Sequence, residues 1–148
     1  MQLFKCFLCA LASTMAFADQ VKFEDCGNKE ILQVKISGCN LSEDVCRVTY
    51  RNPIKIETHF VANQNTRYVV LDMTASKWPL RFKVPELHQN GCDGHNLTCP
   101  LKEGEQQVYT HTYQVPSYVP RKTATIRAEF FGEKGSLGCF EIEGELIN

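Results

Sequence analysis

The sequence predicts an all-β protein, an antiparallel sandwich of seven to eight short strands, and three observations lead there. Apolar and polar residues alternate in segment after segment, at the period of two that turns one face of a strand into a core. Clusters rich in Gly, Asn, Asp and Pro separate those segments, and no stretch sustains the 3.6-residue apolar period of a helix. Six cysteines remain once a secretory leader is set aside, an even number that suits disulfides in an oxidising compartment.

The leader is read over Met1 to Ala18. Lys5 is its early charge, the apolar run CFLCALA follows, and Ala16-Phe17-Ala18 is a small-x-small cleavage site before Asp19. The run is too short to span a bilayer. Cys6 and Cys9 leave with it, which removes a Cys-x-x-Cys pair from consideration as a redox or metal motif. Taking eighteen residues from 148 leaves one domain of 130, residues 19–148, expected to be secreted and monomeric. Loss of Lys5 moves the formal charge from −1 to −2, so no basic excess draws the chain to nucleic acid by counterion release.

The mature chain opens on Val21-Lys22-Phe23 and a turn at Asp25-Cys26-Gly27-Asn28. Leu32, Val34 and Ile36 then alternate with Gln33, Lys35 and Ser37 as a half-buried strand, and residues 47–51 form a short second one. Ile54, Ile56, Thr58 and Phe60 share the next apolar face, opposite Lys55, Glu57 and His59. After Asn63-Gln64-Asn65 come Val69, Leu71, Met73 and Ala75, and the two strands are expected to pair as a hairpin across that turn. Leu80, Phe82 and Val84 follow between Pro79 and Pro85, prolines that remove ladder donors and mark an edge strand. Tyr109, His111, Tyr113 and Val115 face one way on a further strand, and Pro116 and Pro120 bend the chain around Tyr118. Ala124, Ile126, Ala128 and Phe130 form the next apolar face. A turn at 132–135 then leads to the last strand, with Phe140, Ile142 and Leu146.

Six cysteines allow fifteen pairings, and spacing alone does not choose among them. Locality favours Cys39–Cys46 and Cys92–Cys99, each bracketing a short loop, and leaves Cys26 with Cys139. In the loop-entropy account the long bond contributes about 5 kcal/mol and each short one roughly 2.5 kcal/mol. Both short loops carry an Asn-x-Ser/Thr sequon, at Asn40 and Asn96, the candidate glycosylation sites.

The residues offer no catalytic constellation. His59, His88, His95 and His111 stand in no spacing that binds a metal or orients a nucleophile, and Gly-x-Ser-x-Gly, P-loop and His-Glu-x-x-His motifs are absent. The cysteine spacing fits no zinc finger or ribbon. No enzyme activity, cofactor or metal is expected. What the chain has in surplus is inward-facing apolar surface: Ile36, Ile54, Ile56 and Phe60 early, then Leu71, Met73, Leu80, Phe82 and Val84, then Tyr113, Val115, Ile126 and Phe130. Periodicity shows an apolar interior and does not distinguish a filled core from a cavity.

Over nearly all of the mature chain the sequence resembles the ML lipid-recognition family. The likeness rests on Phe23-x-Asp25-Cys26-Gly27, on Cys39 with Cys46, on Phe60-x-x-Asn63 and on Pro79-x-x-Phe82-x-Val84-Pro85. It continues through Gly91-Cys92, Cys99-Pro100 and Tyr118-Val119-Pro120 to Cys139-Phe140-Glu141-Ile142. The resemblance implies an immunoglobulin-like sandwich whose two sheets splay around an internal apolar cavity holding one lipid. It implies the same three disulfides that locality favours. It places Phe82 and Val84 on the strand at the pocket entrance and Val115 and Tyr118 near the opposite lip. Where sterol-transferring members carry Pro-Phe-Pro-Ile-Pro, this chain has Arg81-Phe82-Lys83-Val84-Pro85, a more basic entrance. Their Tyr-Pro pair is Tyr118-Val119-Pro120 here, and Ala128 or Phe130 replaces the Trp of their penultimate strand.

These departures move the expected cargo from sterol to a long-chain fatty acid or semiochemical, bound without chemistry. Delivery to a membrane or receptor is the expected hand-off. His111, by parity, faces inward with Tyr109 and Tyr113 and is a candidate partner for a carboxylate headgroup; the alternative is a strand histidine reaching solvent or a backbone carbonyl. Lys77, Arg81 and Lys83 are rival headgroup partners at the mouth. A lipid-presenting co-receptor or immune recognition module is the competing function.

Overall fold

The computed structural model describes residues 19–84 and 90–147. The leader expected over 1–18, and Pro85 and His88, lie outside the described residues. Among the described residues nine strands form: β1 (Glu24–Asp25), β2 (Ile31–Ile36), β3 (Cys46–Thr49), β4 (Ile54–Val61), β5 (Val70–Lys77), β6 (Leu80–Lys83), β7 (Gln106–Tyr113), β8 (Thr123–Gly132) and β9 (Gly135–Ile147). Among the described residues there is no helix.

The strands make two sheets. One has the order β2-β4-β7; the other runs β1-β9-β8-β5-β6, with β3 also on β9. The sheets meet through side chains of opposite origin. Phe60 of β4 stacks on Phe130 of β8 at 5.6 Å between ring centroids, and Tyr109 of β7 meets Phe130 edge-on at 5.0 Å. Offset-stacked and edge-to-face rings are the favoured aromatic geometries, so this trio both fills the core and fixes the facing of the sheets. Three disulfides join Cys26 to Cys139, Cys39 to Cys46 and Cys92 to Cys99, the pairs that locality selects.

Three details depart from the pattern read off the sequence. First, β4 and β5 do not pair as a hairpin. β4 lies between β2 and β7 in one sheet, β5 between β8 and β6 in the other. The turn residues between them are spent on crossing the sandwich. Asn63 Nδ2 donates to Glu30 Oε1 and to the Ser136 carbonyl, and Gln64 Nε2 donates to the Gly135 carbonyl. Gln64 Oε1 accepts from Lys134 N–H, and Thr66 Oγ1 accepts from Glu133 N–H. A tight hairpin would expose these groups, whereas here they tie the crossover to the β8–β9 turn. Gly132 permits the approach: a Cβ there would sit 2.7 Å from Gln64 Oε1.

Second, Leu32 is not an inward residue. The β2–β4 register shifts between Ile31 and Gln33, so Ile31 enters the core and Leu32 is left 49% exposed. Third, one strand pair is parallel. β3 pairs with β9 from Cys46↔Gly144 to Thr49↔Ile147, further along the edge where β1 pairs antiparallel at Glu24↔Glu141. The remaining pairs between strands are antiparallel, and β6 is an edge strand carrying Arg81 and Lys83, charges of the kind that discourage edge-to-edge association.

Candidate functional site

Burial along the inward faces changes from one end of the sandwich to the other. On β8, Phe130 and Ala128 are fully buried while Ile126 and Ala124 are only partly covered. On β7, Tyr109 is buried while His111 and Tyr113, and Val115 just beyond the strand, are half-exposed. Leading into and along β5, Val69, Leu71 and Met73 give way to a partly covered Ala75. The three runs thin toward the same end, where the β5–β6 turn and the β7–β8 connection lie. That end is the candidate ligand site.

The expected lipid-contacting residues divide accordingly. Phe60, Phe130, Leu71, Met73, Ile36 and Ile54 are buried in the packed core. Ile56, Val84, Tyr113, Val115 and Ile126 are half-buried and pack against it, so they cover the open end. Leu80, Phe82 and Tyr118 are not buried: they are 57%, 57% and 77% exposed, although Phe82 pairs with Ala75 and so shares the inner face of its sheet. Their alternation is real, but β6 is a four-residue edge hairpin arm with no layer over it, so its apolar face forms the rim. Beside them stands Trp78, 94% exposed at the hairpin turn, which strand parity does not reach because it lies outside a strand.

The rim is basic as well as apolar. Lys77 and Arg81 are exposed on the hairpin, and Lys83 lies 3.5 Å from Asp72. Across the mouth Arg121 sits over the Tyr50 ring at 4.9 Å and donates to its hydroxyl. Hydrogen bonding from Arg51 and the charge of Arg121 hold the Tyr50 phenol below its ordinary pKa.

Inside the mouth, the wall on the β7 side is polar and aromatic. His95, in the loop between Cys92 and Cys99, packs against the edge of β7. Thr110 N–H donates to the His95 carbonyl, and His95 Nδ1–H donates to the Thr110 carbonyl at 2.9 Å. Its ring stacks on Tyr109 at 5.0 Å and lies 5.0 Å from His111. His111 Nδ1 is 3.4 Å from His95 Nδ1. A carbonyl only accepts, so the proton of His95 is on Nδ1, and His111 Nδ1 faces it with a lone pair. Burial, and then the neighbouring His95, lower the His111 pKa below 6.5. Burial pushes the Tyr109 phenol up to about 12.

A cleft of about 300 Å³ opens beside the histidine pair, lined by Lys55, Gly94, Thr110 and Thr112 as well as the two imidazoles. One more polar group lies on the inner face, opposite Tyr109 in register. Thr58 is fully buried, and its hydroxyl has no hydrogen-bond partner among the described residues. His95 and Thr58 were not legible as site residues, the first because loops have no periodicity, the second because threonine is an ordinary strand residue.

Elsewhere the charged groups serve the surface. Glu57 on the outer face accepts from His59 and is held below the ordinary carboxylate range by that bond, with Lys35 assisting. Among the described residues no group of three or more His, Cys, Asp and Glu side chains is arranged to hold a metal, and no helix is long and apolar enough to cross a membrane. Asn40 and Asn96 are exposed, the latter at φ 67°.

The sequence model of the ML domain matches residues 20–146. The chain belongs to the ML domain family. Among curated ML relatives, the mite group 2 allergen Pso o 2 of Psoroptes ovis is 33% identical over 94% of this chain and 96% of its own length. Tyr p 2 of Tyrophagus putrescentiae is 35% identical over 84% and 86%, and Der f 2 of Dermatophagoides farinae 36% over 82% of each. Among solved structures, a Niemann-Pick type C2 protein from the Japanese carpenter ant superposes with a TM-score of 0.78 at 23% identity, covering 86% of this chain and all of that one. Chicken MD-1, solved in complex with lipid IVa, superposes with a TM-score of 0.52 at 17% identity, covering 82% and 85%. The two-sheet arrangement described above is thus the ML sandwich.

Proposed function

We propose that this ML protein is an extracellular carrier of one hydrophobic ligand, a long-chain fatty acid or related signal compound, with sterol as the second choice. The observation that carries the reading is the burial gradient: inward-facing Ile56, Val84, Tyr113, Val115 and Ile126 remain half-covered at one end of an otherwise closed sandwich. A hydrocarbon chain laid there buries apolar surface worth roughly 25 cal/mol per Å². Its carboxylate would remain at the mouth within reach of Lys77 and Arg81. Binding is passive and needs no cofactor. The secreted domain spans residues 19–148 after removal of the leader, and Asn40 and Asn96 are its glycan sites. The lipid IVa complex of MD-1 supports a hydrophobic occupant for this fold, and the three disulfides and the mite relatives support secretion.

A second reading, a lipid-presenting module that docks on a receptor, is favoured by the exposed Trp78, Leu80, Phe82 and Tyr118, an apolar rim that invites a partner. Competition on delipidated, monomeric protein tests both. Displacement of a fluorescent fatty-acid probe by oleic acid alone supports the carrier of acids, and displacement by cholesterol alone supports a sterol carrier. If the protein binds no lipid, the interior is a filled core and the rim becomes the place to seek a protein partner.

A further inference from the structure

The two walls of the interior differ in chemistry. From the large sheet, Leu71, Met73, Ile126, Ala128 and Phe130 present only hydrocarbon and aromatic surface. From the small sheet, Thr58 pairs in register with Tyr109, and Ile56 with His111, so these four share the inner face. Thr58 and His111 are therefore diagonal neighbours on that face, about 7–8 Å apart by strand geometry. The wall thus carries a line of hydrogen-bonding groups where a plain hydrocarbon would use none.

The protons on that line are assigned by their partners. His95 Nδ1–H is committed to the Thr110 carbonyl, and His111 Nδ1 meets it at 3.4 Å. In the neutral ring this puts the hydrogen of His111 on Nε2, where it is a donor. A second proton at His111 Nδ1 would meet the N–H of His95. A carboxylate beside His111 would meet a neutral ring, accepting from Nε2–H without the second proton that would give the pairing its opposite charge. Lys55, whose side chain also borders the cleft, lies on the outer face of β4, with its register partner Thr112. Thr58 adds a buried hydroxyl, able to donate and accept, with no partner among the described residues. Desolvating such a group unpaired is unfavourable, so a ligand oxygen brought to it is favoured over a methylene.

We infer that the β4–β7 wall selects lipids bearing a neutral oxygen function along the chain, a hydroxyl or a keto group, engaged by His111 Nε2–H and the Thr58 hydroxyl. The carboxylate of the same molecule, where there is one, stays at the basic rim. In place of the carboxylate expected from parity, this reading gives His111 a neutral oxygen as its partner. The inference rests on the carrier reading, and the experiment separates the two.

Dissociation constants are measured by probe displacement for stearic, 12-hydroxystearic and 12-oxostearic acids on the wild type, on Thr58→Val and on His111→Phe. A series with oxygen at carbons 8 and 10 covers the register of the chain. His111→Gln, which keeps a hydrogen-bonding side chain, guards against misfolding as the cause of a loss. The expected result is about tenfold tighter binding of the best-placed oxygenated acid than of stearic acid, the factor a single well-made hydrogen bond supplies. That preference should fall toward unity in Thr58→Val and His111→Phe, and His111→Gln should retain part of it. Equal affinities for plain and oxygenated acids across the series overturn this inference and leave the carrier standing. Failure of every acid to bind overturns both.

Discussion

Replacing Thr58 by valine should make the ligand-free protein more stable. Thr58 is wholly buried on β4 between the inner-face residues Ile56 and Phe60, and its hydroxyl has no partner among the described residues. A buried hydroxyl left unpaired costs about 1–3 kcal/mol relative to its hydrated state. Valine has nearly the same shape, is β-branched like threonine and so suits a strand, and exchanges that hydroxyl for a methyl with no polar demand. The substitution is therefore expected to stabilise the delipidated protein by about 1–3 kcal/mol, with a Tm raised by roughly 3–10 °C for a domain of this size. Guanidinium titration at constant m-value measures the free energy, and calorimetry the midpoint. Thr58→Ser is the companion variant: it keeps the hydroxyl, loses a methyl and should destabilise. If Thr58→Val is destabilised by 1 kcal/mol or more, the hydroxyl is paired in solution, by an internal water or a neighbour. Thr58 then falls out of the ligand-selecting wall as well. The same substitution that stabilises the empty protein should weaken binding of oxygenated lipids, a crossing of signs that a purely structural role does not produce.

Two further outcomes follow from the same geometry. Because the folded state holds the His111 pKa below 6.5, the unfolded chain binds the extra proton first as pH falls. The stability contribution of neutral His111 is thus complete above about pH 6.5 and is lost as pH descends through the folded pKa. Tm measured from pH 7.5 to 4.5 should fall less steeply for His111→Gln than for the wild type, and parallel profiles would contradict the burial assigned to this ring. Removing the Cys26–Cys139 bond, which closes a separation of 113 residues, by paired substitution to alanine should cost about 4–5 kcal/mol by loop entropy, against roughly 2.5 for either short bond; denaturant midpoints of the three variants give the order.

Much of the sandwich was legible because strand alternation is a local property. Each of Ile54, Phe60, Leu71, Met73 and Phe130 could be assigned to a buried face from its immediate neighbours, and each is buried. The β4–β5 connection was not legible. Asn63, Gln64 and Asn65 read as a turn, and only the bonds of Asn63, Gln64 and Thr66 to residues 133–136 reveal a crossover between sheets. Leu32 failed for a similar reason: a one-residue register shift against β4 reverses the faces of a strand, and nothing local announces it.

The candidate site was half legible. Parity marked His111 as inward-facing, and the prolines at 79 and 85 marked β6 as an edge. Yet Leu80 and Phe82, assigned to the interior, lie on the rim, because a strand at the border of a sheet has no second layer to bury its apolar face. With Trp78 and Tyr118 they form an exposed apolar group at the thinly covered end.

The class of the protein was local information: alternation made it all-β, and the cysteines, with the motifs from Phe23-x-Asp25-Cys26-Gly27 to Cys139-Phe140-Glu141-Ile142, carried the resemblance to the ML family. Locality also favoured the three disulfides found, since short loops close cheaply and leave one long bond to be made. Which strands share a sheet, which end of the interior is thinly covered, and that His95 meets His111 and Thr110 are set by packing. These facts depend on pairs of residues far apart in the chain. The state of a proton on His111 or the partner of a buried hydroxyl is set by what packs against it, and no pattern along one strand carries that information.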